Sequence, residues 1–291
     1  MDAVCALCNG TGWKAVEHDG ERRVTRCDCW RATAASRRRH DSRIPRRYQH
    51  CDFGGFVTYG NEKLENAVTW ARSLVQRYPV TERGLFLIGP PGVGKTHLTV
   101  AVLRTLIETK GARGLFYDTR ELLRIVRSTY DPSLRESERD VLRPVMTADV
   151  LVLDDLGAEK SSEWVDETLN LIVNTRYSEK RLTLFTSNYV DDPEGPPESL
   201  LYRIGRRMRS RLHEMCEFID LDGADYRELP SNGGEEDLRA LWRQRRKQPQ
   251  APPGLPLKAS APMRARLREE RAPTTAAPEL KWPGGRAGTR R

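Results

Sequence analysis

The chain of 291 residues has no apolar run approaching the roughly 18 residues that a membrane-spanning helix needs. Its start, Met1 to Gly10, lacks the charged and then apolar stretch of a signal peptide. These absences predict a soluble, cytoplasmic protein with no membrane partner. Cysteine is scarce as well. Six residues are too few to staple a chain of this length through disulfides, which leaves stability to a hydrophobic core. No internal repeat is visible, which sets repeat architectures aside. An excess of acid is lacking too: the net charge is +8, and beyond Arg227 there are 14 Lys and Arg against 7 Asp and Glu. About seven of the eight charges therefore lie in the tail, and the rest of the chain is nearly neutral overall. Such basicity suits nucleic acid or another polyanion; a solvated tail accounts for it equally well.

What is present is a run that binds phosphate. Gly89-Pro90-Pro91-Gly92-Val93-Gly94-Lys95-Thr96 has a glycine, four free positions, then glycine, lysine and a hydroxyl residue. Leu85 to Ile88 before it reads as a buried strand, and His97 to Glu108 after it carries Leu98, Val102, Leu106 and Ile107 at helical spacing. In that context Gly89, Gly92 and Gly94 let the backbone turn its N-H groups onto phosphate oxygens, aided by the positive end of the following helix. Lys95 is expected to reach the β and γ phosphates of ATP, and the Thr96 hydroxyl to coordinate the magnesium between them.

Four of the cysteines crowd into the first thirty residues, Cys5 and Cys8 in one pair, Cys27 and Cys29 in another. In a reducing compartment two close thiolate pairs predict a tetrahedral zinc site, which a knuckle this small needs in order to fold. The second pair has one spacer where a standard ribbon has two, and His18 is an alternative ligand. Arg31 to Arg47 is a basic run predicted to be helical up to Pro45, either touching phosphates or serving as a charged linker. Asn61 to Tyr78 shows an apolar face typical of a helix packed on a core.

Beyond the phosphate loop, Gly114 to Tyr117 reads as a second strand and Thr119 to Tyr130 as a helix. That helix carries Arg120, Arg124 and Arg127 on one face, a solvated stripe or a surface for a nucleic-acid backbone. Ser137 to Met146 continues as a helix interrupted at Pro144. Val150 to Leu153 followed by Asp154-Asp155 is a buried parallel strand ending in acids at the edge where open α/β sheets bind ligands. Asp154 is expected to hold magnesium and Asp155 to polarise the attacking water. Ser161 to Lys180 reads as a helix with Trp164, Leu169, Ile172 and Val173 inward, and Leu182 to Asn188 as a strand whose last residue either orients the water or makes a turn. Leu200 to Met215 is rich in arginine, and Cys216 to Leu221 is a final strand. From Glu228 onward Pro, Gly, Ser, Ala and Arg predominate, with Asp237 to Lys247 the one helical candidate, and a disordered tail is expected.

From about Ile44 to Arg227 the chain resembles the DnaC and IstB group of AAA+ ATPases, bacterial and phage helicase loaders and transposition helpers. The residues that carry the resemblance are Gly89 to His97, Leu153 to Glu159, Asn174 to Tyr177, Thr186 to Asn188, Ser210 to Leu212 and Asp225 to Arg227. The resemblance implies an α/β fold, a three-layer αβα sandwich with a parallel sheet over 48–228, preceded by a zinc module and basic linker over 1–47 and followed by a basic tail over 229–291. It implies that His97 joins the nucleotide site, that Asn188 is the sensor 1 residue, that Arg211 is a finger reaching a neighbouring subunit's ATP, with Arg207 its rival, and that Arg227 is the sensor 2 arginine. It places single-stranded DNA near Arg120, Arg124 and Arg127, and a DnaB-type replicative helicase on the cysteine module. Self-association would follow from a finger supplied between subunits. Asp155 stands where many AAA+ proteins have the longer glutamate, so slow or partner-stimulated hydrolysis is expected. A transposition helper, a nucleotide-gated DNA-binding regulator and a small-molecule kinase are the rival readings.

Overall fold

The computed structural model describes residues 5–18, 21–131, 137–194, 199–230 and 232–247. Near the start, β1 (Trp13–His18) and β2 (Glu21–Arg26) pair antiparallel, Trp13 facing Arg26 and Ala15 facing Val24. Residues 19 and 20, between the two strands, lie outside the described residues. Helix α1 (Asp28–Asp41) begins directly after Cys27 and stops before the expected Pro45. Arg43 takes a left-handed φ of 59° one residue after the cap, and that reversal, not the proline, ends the helix. The helix is tied to the rest of the chain by Arg39 to Glu108 at 3.1 Å and by the Phe116 amide donating to the Ser42 carbonyl at 2.8 Å. Helix α2 (Glu62–Arg77) starts where the Asn61 side chain accepts from the Lys63 amide, and buries Leu64, Ala67, Ala71 and Leu74.

Alternation along the strands builds the layers. All five residues of β3 (Gly84–Ile88) are buried, Leu85 and Leu87 in one core and Phe86 and Ile88 in the other. With β4 (Gly114–Asp118), β5 (Val150–Asp154), β6 (Leu182–Ser187) and β7 (Cys216–Asp220) it forms a parallel sheet in the order β4-β5-β6-β3-β7. The first core takes α2, α3 (Lys95–Lys110) and the end of the described chain, α8 (Glu235–Lys247), through Leu64, Leu98, Val102 and Leu238. The second takes α4 (Thr119–Ser128), α5 (Glu138–Thr147), α6 (Glu163–Ser178) and α7 (Leu200–Met215) through Leu122, Val141, Ile172 and Met208. This is the expected αβα sandwich. Because all five strands run the same way, every strand presents its C-terminal end on one edge. Among the described residues no helix is long and apolar enough to cross a membrane.

Several sequence expectations need correcting. The helical candidate at Asp237 to Lys247 forms, as α8, but it is not part of a free tail: Tyr226–Glu228 is a short 3-10 turn, and α8 lays Leu238, Leu241 and Trp242 on the first core. Arg239 Nε donates to the Tyr59 carbonyl at 3.1 Å and Arg245 Nη1 to the Gly223 carbonyl at 2.7 Å, so α8 spans two loops that are far apart in the chain. Residues 248–291, where the disordered tail was expected, lie outside the described residues. Helix α5 runs on through Pro144, its start fixed by a reciprocal cap between Ser137 and Asp140. Helix α7 is two helices meeting at Gly205, whose φ of 77° no side-chain-bearing residue adopts readily. Trp164 is half-buried at the margin of the second core, and its ring also carries the Arg127 guanidinium at 4.6 Å. The fully buried large side chain of α6 is Arg176 instead.

Candidate nucleotide site

The phosphate loop connects β3 to α3 at the sheet's C-terminal edge. Its glycines are fixed by what surrounds them. A Cβ on Gly92 would fall 1.7 Å from Asp225 Oδ1, and one on Gly94 would fall 2.6 Å from the Phe56 ring. Both have positive φ, 79° and 99°, and Gly94 caps α3. The loop is therefore clasped between the segment before α2 and the segment after β7, where the Tyr226 amide donates to the Gly92 carbonyl at 3.0 Å.

Lys95 opens α3 with its ammonium turned back into the loop. It donates to the Gly89 carbonyl at 2.7 Å, the Pro90 carbonyl at 2.8 Å and Asn188 Oδ1 at 2.8 Å, which uses all three of its protons. Burial pulls its pKa down to about 8, against the pull of Asp155 and Asp154. Thr96 donates to both carboxylate oxygens of Asp154, at 2.9 and 3.1 Å, and Thr186 donates to Asp154 Oδ1 at 2.7 Å. Burial raises Asp154 to about 6 even with these two hydroxyls favouring its charged form. Lysine, threonine hydroxyl and carboxylate thus converge at the helix N-terminus, an arrangement that fits a magnesium nucleotide: an ammonium for phosphate oxygens, and a hydroxyl with a carboxylate for the ion.

Asp155 turns away from Asp154 because its backbone is left-handed, φ 58°. Its amide donates to the Thr186 hydroxyl at 2.8 Å, its Oδ1 accepts from Asn188 Nδ2 at 2.5 Å, and its Oδ2 meets Arg120 at 3.2 Å. Burial is the main reason its pKa is raised, Arg120 the main opposition. The structure brings Lys95, Thr96, Asp154, Asp155 and Asn188 into one network.

The other expected residues fall around it. His97 turns to the segment before α2, its Nε2 2.8 Å from the Asp52 carbonyl and its ring edge-on to Phe56 at 5.5 Å. Arg227 is exposed on the short turn after β7, where Asp225 accepts from the Arg227 amide at 2.9 Å. Arg211 and Arg207 line a groove of about 570 Å³ between α6 and α7, opposite Glu163, Asp166 and Glu167. None of the phosphate-loop residues lines that groove. The stripe on α4 divides: Arg120 is held by Asp155, Arg127 lies over Trp164, and Arg124 points to solvent. Sequence reasoning gave no separate role to Thr186, whose hydroxyl links both aspartates, nor to Thr119, which donates to the Asp154 carbonyl at 2.8 Å. Their one signal was position, polar residues closing apolar strands at the ligand edge.

The four thiols form a second cluster. Cys5, Cys8, Cys27 and Cys29 place their sulfurs within 4.8 Å of one another, Cys5 to Cys27 at 3.8 Å and Cys8 to Cys29 at 3.3 Å. Two sulfurs on a tetrahedral ion with bonds of about 2.3 Å lie about 3.8 Å apart, so the donor set fits zinc. The Cys27 amide donates to the Gly12 carbonyl at 2.8 Å, which brings the pairs together despite the single spacer of the second. The side chain of His18, the alternative ligand, is outside the described residues.

Residues 72–228 match the family of IstB-like ATP binding proteins, more than half of the chain. The chain belongs to that family. Among its relatives, the replicative helicase loader DnaI of Bacillus subtilis (strain 168) is 35% identical over 38% of this chain and 34% of its own length. Protein YqaM of the same organism is 25% identical over 81% of this chain and 73% of its own length. The crystal structure of the DnaC helicase loader superposes with a TM-score of 0.55 at 33% identity, covering 61% of this chain and all of that chain. Membership in an ATP-binding family agrees with the nucleotide chemistry that Lys95, Thr96 and Asp154 can perform, and the sheet with its AAA+ topology is shared with the loader structure.

Proposed function

We propose that the chain is an ATP-dependent loader that delivers a hexameric, DnaB-type replicative helicase to single-stranded DNA at the initiation of replication. The observation that carries this reading is the match of an entire solved helicase-loader chain to the ATPase core. The four-thiol module held next to that core by α1 supports it further. Bound magnesium and ATP would supply a polarised γ phosphate. Lys95 then exchanges its loop carbonyls for phosphate oxygens, and Thr96 and Asp154 hold the ion. Asp155 takes the proton of the attacking water while Asn188 orients it. Asp155 is short and already paired with Arg120, which favours slow or partner-stimulated turnover. Arg227 reads the γ phosphate in its own subunit. Arg211 reaches a neighbour's ATP, so hydrolysis depends on self-association. Arg124 and Arg127 contact the strand backbone. Zinc on Cys5, Cys8, Cys27 and Cys29 keeps the N-terminal module folded for helicase docking.

The test is retention of proteins from host lysate on the immobilised chain, with and without ATP. A replicative helicase retained by the full chain, and lost when residues 1–27 are removed but α1 kept on the core, is the expected result. Retention of a transposase instead would move the chain to the transposition branch, a reading that the IstB-like family match favours. Retention of neither sinks the loader reading.

A further inference from the structure

We propose that the exposed face of the β1-β2 hairpin binds single-stranded nucleic acid by stacking bases on Trp13 and Trp30, at a site separate from α4. Register puts Trp13 and Arg26, and Ala15 and Val24, on one face of the hairpin. That face is open: Trp13 is 51%, Val24 69% and Trp30, on the adjoining turn of α1, 45% exposed. The Arg26 guanidinium lies over both indoles, 5.4 Å from the Trp13 ring centre and 4.3 Å from that of Trp30. The result is a ladder of two rings held by one cation, which restricts both indoles before any ligand arrives.

Charge selects the ligand. The near neutrality of the chain before its tail is a cancellation: residues 1–47 carry 11 Lys and Arg against 6 Asp and Glu, whereas 48–227 carry 24 against 28. The cysteine-bearing residues 1–27 are themselves balanced, 4 against 4, and the excess lies on residues 28–47, 7 Lys and Arg against 2 Asp and Glu, on α1, which carries Trp30, and on the segment after it. Arg22 shares the face with the rings; Lys14, paired with Asp28, and Arg23, paired with Glu21, alternate to the other face. Here each exposed apolar side chain of the hairpin has a cation beside it, as in sites that track a phosphate backbone while rings take the bases. Stacking of this kind tolerates any base, so the ligand is a single strand without defined sequence.

The proposal goes beyond the loader reading and stands without it. The full-length, zinc-loaded chain is titrated against a fluorescein-labelled oligodeoxythymidylate of about 20 nucleotides, a length that spans one stacking site several times over. Trp13→Ala and Trp30→Ala should each weaken binding roughly 10-fold, the scale of losing one base stack, while Trp13→Phe retains it. Zinc content and ATP affinity are measured on each variant and should stay at wild-type values. Independently of any variant, a strand carrying 5-iododeoxyuridine should cross-link on irradiation to the peptides holding Trp13 or Trp30. Wild-type affinity in both alanine variants, or cross-links confined to α4, overturns the proposal. Loss of helicase retention at unchanged strand affinity overturns it too and assigns the face to a protein.

Discussion

Replacing Asp154 by asparagine should stabilise the nucleotide-free chain and at the same time remove its response to magnesium nucleotide. Asp154 is 8% exposed, and burial raises its pKa from 3.8 to about 6. At about 1.4 kcal/mol per unit, ionising it inside the fold costs about 3 kcal/mol. The amide avoids that cost and still accepts from Thr96 and Thr186, but it gives up the attraction to Lys95 and leaves an NH2 group to be satisfied, about 1–3 kcal/mol in the other direction. The net is a gain of about 1 kcal/mol at neutral pH, a rise of about 2–4 °C in midpoint for a domain of this size. The sign has a pH signature. A carboxyl raised by folding is protonated in both states below the unfolded value, so the penalty is absent near pH 4, grows as pH rises to about 6, and is complete above. The advantage of Asp154→Asn over wild type should follow that curve. Thermal denaturation across about pH 4 to 7.5, with and without magnesium ATP, measures both effects. A variant less stable than wild type without nucleotide, or an advantage that does not change with pH, would refute the reasoning.

Arg176 offers a test in the core. Its guanidinium is fully buried and hydrogen-bonds to no carboxylate, donating to the carbonyls of Val145, Ala148 and Leu182 and to the Thr183 hydroxyl. Arg176→Leu should destabilise by about 3–5 kcal/mol, since several buried acceptors lose their donor at once; a midpoint within a degree of wild type would show that this tie between α5 and β6 carries no stability. The purified chain should contain one zinc per molecule, and a chelator should melt the β1-β2 hairpin while ATP still binds; a metal-free folded hairpin contradicts the thiol site. Arg211→Ala should lower ATP hydrolysis by about 1,000-fold in the assembled state, the range of an arginine finger, with nucleotide affinity of the monomer unchanged. Normal turnover in that assembly would return the role to Arg207 or to none.

The parts of the site that could be read from the residues are those in which chemistry and backbone needs fall on neighbouring positions. Gly92, Gly94, Lys95 and Thr96 are adjacent in the chain, and so are the apolar strand and the two acids that end it. What escaped reading depends on contacts between distant segments made by ordinary residues. Nothing about Phe56 or Asp225 announces that each closes on a glycine of the same loop. Arg176 lies in a run that carried the family resemblance, but that its donors face buried carbonyls depends on α5 and β6, distant in the chain. Helix α8 was read as a candidate over Asp237 to Lys247, but its packing on the core was hidden by composition. Its three apolar anchors, Leu238, Leu241 and Trp242, are diluted among charges, but they fall three and four apart and so share one face.

The same contacts bear on how the site works. Lys95 uses all three of its protons within the protein, Asp154 has two hydroxyls, and Asp155 has an amide and a guanidinium. Phosphate must therefore replace existing partners rather than fill vacant ones. Asn188 is the member common to both halves, accepting from Lys95 through Oδ1 and donating to Asp155 through Nδ2. If Lys95 moves to a phosphate, Asn188 Oδ1 loses its donor while Nδ2 can still donate to Asp155. Asn188, at the end of β6, thus couples the loop lysine to the second acid over a path of two hydrogen bonds.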